Sequence, residues 1–184
     1  AGLPGPKART GDMGLHNQGK VFTSDDHGRT WTWRGDFPFW HARPFVAGSS
    51  LYILGQDGDL TIMRSDDGGE RWGPPIRLTE GETWHQAPCN VHYARGHVYL
   101  VMERLLYTDV RGWTPLVLAP ILMRGRVEAD LTRRENWTFA NPVAFRDLVR
   151  TEALRYVAVP FFESRRSEPV LVAPGRSSAP IGWL

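Results

Sequence analysis

The chain has 184 residues, 41% of them apolar and 23% charged, an ordinary make-up for one folded core. Lys and Arg number 22 against 20 Asp and Glu, so the charge balance carries no nucleic-acid footprint. One cysteine, Cys89, excludes an intrachain disulfide, and the longest apolar run, around 114–122, is broken by Pro115 and Pro120, so no membrane span is expected.

No Cys/His cluster has zinc spacing, and neither a metal nor a cofactor is expected. The 19 Gly and 14 Pro suit short strands joined by turns. Eight Trp supply flat apolar faces of the kind on which sugar rings stack.

Residues 1–19 are rich in Gly, Pro and polar side chains and read as a lead-in without periodicity. The span 20–36 predicts a hairpin: Lys20-Val21-Phe22-Thr23, then the polar turn Ser24-Asp25-Asp26-His27-Gly28-Arg29-Thr30, closed by Trp31. Two strand-like runs follow, Phe39–Val46 and Ser50–Gly55, then a polar Gln56-Asp57-Gly58-Asp59 loop and a further strand, Leu60–Met63. The turn sequence then returns as Ser65-Asp66-Asp67-Gly68-Gly69-Glu70-Arg71-Trp72, 41 residues after its first copy. Both copies read Ser-x-Asp-x-Gly-x-x-Trp. Residues 37–80 thus contain four strands in succession.

The pattern restarts at Thr83-Trp84-His85, which echoes Phe39-Trp40-His41 44 residues later. Two motifs recurring at nearly one interval predict radial repetition of blades, each about 40–50 residues long. His97–Glu103 is the expected second strand of the new blade, and 128–139 reads as a degraded hairpin with Trp137 as its closing ring. Residues 81–147 therefore form a blade with a long insertion. The remainder, 148–184, supplies a partial blade or tail, with strands expected at Leu154–Val159 and Val170–Val172.

The repeated turn resembles the Asp-box, or BNR repeat, of sialidases and related β-propellers. The first copy fits the family form throughout, and the second carries Arg71 where Thr is usual. The resemblance implies an all-β sialidase-like propeller of a six-bladed family, with about three to four four-stranded blades in a single partial domain spanning 1–184. It implies that the turn is structural and lies on the face away from the active site. No leader is visible in the sequence, and the family suggests a secreted or periplasmic protein.

Strands alternate direction, so the opposite face collects the starts of first strands, the ends of second strands and the loops between second and third. That places Trp40, His41, Arg43, Gln56, Asp57, His85, Gln86, Arg104 and Tyr107 around one mouth, with Glu103. Arg43-Pro44 is similar to part of the sialidase Phe/Tyr-Arg-Ile-Pro motif, whose guanidinium fork holds a substrate carboxylate. Arg43 is equally suited to pairing with a carboxylate of a neighbouring blade. His41 and His85 occupy equivalent positions on adjacent blades, either as acid/base and sugar-hydroxyl ligands or as a repeated packing element. Glu103 closes an apolar strand, where a partly desolvated carboxylic acid is expected. It can act with Asp57 or Asp59 as a carboxylate pair, act with Tyr107 as in sialidases, or simply pair with Arg104. The expected activity is exo-hydrolysis of a terminal, acidic sugar. Trp40, His41, Arg43, His85, Gln86 and Arg104 are the expected substrate contacts. A non-catalytic propeller that binds glycan or protein is the competing expectation, and oligomeric state is left open.

Overall fold

The computed structural model describes residues 19–85, 90–107, 118–144 and 147, and the backbone of two short strands at 161–162 and 169–170. The lead-in, Gln86, Cys89, the centre of the long insertion and the expected strand at Leu154–Val159 lie outside the described residues. All sheets are antiparallel. β1 (Gly19–Thr23) pairs with β2 (Thr32–Phe37), and β3 (Trp40–Ala47), β4 (Ser50–Asp57), β5 (Asp59–Ser65) and β6 (Ile76–Arg77) form a four-stranded meander. In the next sheet β7 (Trp84–His85) and β8 (His92–Ala94) both pair with β9 (His97–Leu105), which continues to β10 (Leu118–Arg126) and β11 (Trp137–Phe139). β12 (Phe161–Phe162) pairs with β13 (Pro169–Val170).

The fold is thus all-β and propeller-like: a half blade, then two blades of four strand positions each. Two expectations need correction. The stretch from Gln56 to Asp59 is not a loop; β4 and β5 run through it, leaving Gly58 alone in the turn. The Asp59 carboxylate holds it closed, accepting from the Gly81 and Glu82 amides and the Thr79 hydroxyl. The innermost strand of the second full blade is likewise interrupted, with β7 and β8 taking separate places along β9.

Side-chain alternation explains why the sheets stack. On β4 and β5, Tyr52, Leu54, Leu60 and Ile62 point one way, into a core shared with Val98, Leu100, Met102, Ile121, Met123 and Trp137 of the next blade. Ile53 and Met63 point the other way, onto Phe37, Phe39 and Val21 of the half blade. A central sheet buried on both faces reads as a continuous apolar run, which is what Leu51–Leu54 and Leu60–Met63 are.

The two Ser-x-Asp-x-Gly-x-x-Trp turns have the same hydrogen bonds. Ser24 Oγ accepts from the Gly28 amide at 2.7 Å, and Ser65 Oγ from Gly69 at 2.9 Å. Asp26 and Asp67 each accept an amide through Oδ1, from Thr30 and Arg71, at 2.8 and 2.9 Å. The second carboxylate oxygen takes the Thr30 hydroxyl at 2.7 Å in one copy and Arg71 Nε at 2.8 Å in the other. Arg71 therefore fills the Thr position with an equivalent donor. Each indole then bonds back to a carbonyl, Trp31 to Gly28 and Trp72 to Gly69. Two consecutive residues take positive φ in each turn, His27-Gly28 and Gly68-Gly69, which confines the fifth position to glycine. The third hairpin keeps only the closing element: Trp137 Nε1 donates to the Leu131 carbonyl at 2.8 Å.

Cross-blade bonds fix the stack. The Tyr93 hydroxyl donates to the Val46 carbonyl at 2.8 Å and accepts from its amide at 3.2 Å. Arg64 Nη1 reaches Asp130 of the next blade at 3.3 Å. Ser50, in the turn between first and second strands, donates to Asp66, in the turn between third and fourth, at 2.5 Å. Those two turns therefore share one face of the molecule.

The turn carboxylates make stability acid-sensitive. Bonds from the Thr30 amide and hydroxyl hold the Asp26 pKa down to about 2, and Arg71 does the same for Asp67, also to about 2. Both values lie below the roughly 3.9 of an unfolded aspartate. The folded state favours the ionised form, so this stabilisation is complete above about pH 4 and is lost as pH falls towards 2. Acid unfolding followed by tryptophan fluorescence should show a transition in that window. Asp26→Asn and Asp67→Asn should each flatten its slope and lower stability at pH 7.

Candidate functional site

The mouth lies at the end of the blades opposite the paired turns, and a bulge in β3 shapes it. Trp40 faces Gln56 across the ladder and Arg43 faces Leu54, so His41 and Ala42 together oppose Gly55. The extra residue turns the strand and re-aims its side chains. His41 sits at φ 49°, a conformation unfavourable for a residue with a Cβ. Gly55 makes the bulge possible. A Cβ there would lie 2.3 Å from the Trp40 carbonyl oxygen and 2.6 Å from the Phe39 ring.

The re-aimed His41 ring meets His85 of the next blade edge to face, with centroids 4.9 Å apart and planes at 62°. His85 Nδ1 lies 3.0 Å from Glu103 Oε2, on the paired position of β9. Both side chains are mostly but not wholly buried, His85 27% and Glu103 21% exposed. A Nδ1–H donated to the carboxylate fixes the orientation of the imidazole. On the other side Gln56 Nε2 lies 3.4 Å from His41 Nδ1. Gln56 is buried, and its Oε1 has no hydrogen-bond partner among the described residues. Trp40, 54% exposed, flanks His41 with its ring 6.1 Å away.

Burial, and then the charge His85 would carry, push the His41 pKa below the ordinary histidine value; the Gln56 contact works the other way and loses.

The other expected site residues are placed less centrally. Arg43 is half-buried on β3, and Asp57 is exposed at the tip of β4. Arg104 follows Glu103 on β9 and takes the other side of the strand, where Nη2 pairs with Glu82 at 3.0 Å. Glu82 also accepts from the Trp84 indole at 2.8 Å. Arg104 therefore lines a separate cleft with Trp84, Arg134 and Phe139 rather than pairing with Glu103. The Tyr107 hydroxyl donates to the Asp147 carboxylate, so it is engaged there. Asp59 is committed to its turn, where burial is outweighed by the donors that hold its pKa low. Gln86 lies outside the described residues.

Sequence reading did not bring out Gly55 or Glu82. The first needs the bulge to be seen. For the second, the only signal was its position just before a Trp-His pair.

No protein-family model matches this chain, and no curated protein is found to be similar. Among solved structures, it is similar to the crystal structure of an α-L-arabinofuranosidase from Lactobacillus brevis, at 15% identity and a TM-score of 0.49. The match covers 74% of this chain and 48% of that one, so this chain spans about half its neighbour's length.

Gly55→Ala should cost about 1–3 kcal/mol by overpacking, read from denaturant unfolding. It should also abolish the His41–His85 contact, visible as altered imidazole shifts by NMR. In the parent protein His41 should titrate below the roughly 6.5 of free histidine, and His85→Ala should raise it.

Proposed function

We propose that the chain belongs to a glycan-processing propeller, a glycosidase whose mouth is built on Glu103, His85 and His41 and that acts outside the cytoplasm, secreted or periplasmic. The observation that carries this reading is the His85–Glu103 contact at 3.0 Å, with the second histidine against it. In this reading Glu103, as the acid, protonates the glycosidic oxygen as its bond to the anomeric carbon breaks. Water adds to that carbon and its released proton restores the carboxyl, while His85 holds the side chain in place. Trp40 offers an exposed ring for the apolar face of the sugar. Asp57 would supply the second carboxylate, and Arg43 with Gln86 would meet an acidic substituent, as in the sialidase-like expectation.

A glycan-binding propeller without turnover is the second reading. It is favoured by the engagement of Tyr107 with Asp147 and of Arg104 with Glu82, which commits both side chains to protein partners.

The deciding experiment measures release of 4-methylumbelliferone from sialoside, glucuronide and α-L-arabinofuranoside substrates. The enzyme reading expects turnover on at least one, reduced about 10²-fold or more in Glu103→Gln without loss of folding. Absence of turnover, with glycan binding retained and lost in Trp40→Ala, would establish the binding module instead.

A further inference from the structure

A second cleft, of about 640 Å3, opens on the turn face between the two full blades, and nothing in the mouth's chemistry involves it. β5 joins the two regions: Asp59 at its first residue belongs to the mouth end, and Ser65 at its last begins the repeated turn. Seven residues of strand put them about 20 Å apart.

The cleft combines three kinds of surface. The Trp72 ring forms one wall, held in place by its indole bond to the Gly69 carbonyl at 3.0 Å. Ile76, on the edge strand β6, provides an exposed apolar floor. The far wall is polar: Arg64 is strung between Asp66 at 2.7 Å and Asp130 at 3.3 Å, with Thr132 on the same Asp130 oxygen at 2.7 Å.

Each polar group has hydrogen-bonding capacity left. Asp66 Oδ1 takes both Ser50 and Arg64, and no hydrogen bond reaches its Oδ2 among the described residues. Arg64 uses Nε and Nη1, leaving Nη2 without a partner among the described residues. The Ser50 hydroxyl and then Arg64 keep Asp66 ionised, and Thr132 and Arg64 keep Asp130 ionised against its burial. Ionised carboxylates only accept and a guanidinium only donates. Rigid acceptors and a donor set beside a fixed aromatic wall complement a pyranose or furanose ring, with its hydroxyl edge and apolar C–H face.

The charge selects among sugars. Asp66, Asp67 and Asp130 outnumber the two arginines of the lining, Arg64 and Arg71, and these arginines, like Arg133 at 3.6 Å from Asp130 Oδ2, are paired with the aspartates. A sialic or uronic acid carboxylate would meet three aspartates whose arginines are already neutralised by them, whereas a neutral sugar meets no such repulsion.

We infer that this turn-face cleft is a second glycan-binding site, selective for neutral oligosaccharides and separate from the mouth. It would hold the chain of a polymeric glycan while the mouth engages a terminus, but the binding itself does not depend on catalysis.

Direct titration tests it, using maltotetraose, cellotetraose and xylotetraose as neutral probes and sialyllactose as the acidic one, followed by calorimetry. Saturable binding of a neutral probe is expected, weakened about tenfold or more by Trp72→Ala. Trp72 also packs on the half blade, so Ile76→Arg serves as the second variant. It fills the floor from an exposed edge position and should abolish binding while leaving any turnover of small aryl glycosides unchanged. Glu103→Gln should leave neutral-probe binding intact, which separates this site from the mouth. No binding of any neutral probe, binding unaffected by Ile76→Arg, or a preference for sialyllactose would each overturn the inference.

Discussion

Everything in this chain depends on one sheet being buried on both sides. β4 and β5 send Tyr52, Leu54, Leu60 and Ile62 into one interface and Ile53 and Met63 into the other. A strand with apolar residues on both faces cannot be satisfied by a single neighbour, so the sheet requires partners before and behind it. That requirement, rather than any loop contact, orders the sheets in sequence. The backbone at the seam is closed by other means. Tyr93 ties the innermost strands through Val46, and Arg64 ties the turn face through Asp130.

The two faces of the stack use polar groups in opposite ways. In the two repeated turns the carboxylates of Asp26 and Asp67 are saturated locally: each takes a serine hydroxyl, an amide and a side-chain donor within its own turn. Such a turn is a rigid unit that repeats unchanged even when Arg71 replaces threonine. At the mouth, residues reach across blades, His41 to His85, and one buried amide oxygen on Gln56 is left without a protein partner. A positive φ at His41 and a glycine-dependent bulge add strain at the same place. A buried amide oxygen without a partner among the described residues and a strained histidine at one place are a usual combination at a functional centre, whereas the positive φ of His27 lies inside a fully bonded turn.

Much of the architecture was legible because it repeats. Ser-x-Asp-x-Gly-x-x-Trp appears twice at nearly the interval of the Trp-His pair, and strand period and turn chemistry agree wherever they recur. Placement of His41, His85 and Glu103 near one another followed from repetition as well, since equivalent positions on adjacent blades must be neighbours. What could not be read was geometry arising from a single residue. A stretch as polar as Gln56–Asp59 reads as a loop, but Asp59 supplies from its side chain the bonds that let both strands continue through it. Strand parity likewise separates Arg104 from Glu103, although the two are adjacent in sequence.

Bulge and histidine pair also constrain each other. Without the two-for-one register at Gly55, His41 would fall on the regular alternation of β3 and would not be re-aimed towards His85. With it, the ring reaches the next blade, but at a backbone conformation that costs on the order of 1–3 kcal/mol for a residue with a Cβ. Nothing in the packing of β3 requires that cost: Phe45 and Ala47, further along the strand, bury well on ordinary alternation. The strain is therefore localised to the one residue that carries an imidazole to its counterpart, and stability alone does not account for a histidine there. Glycine would hold the same backbone more easily, and what it lacks is the ring.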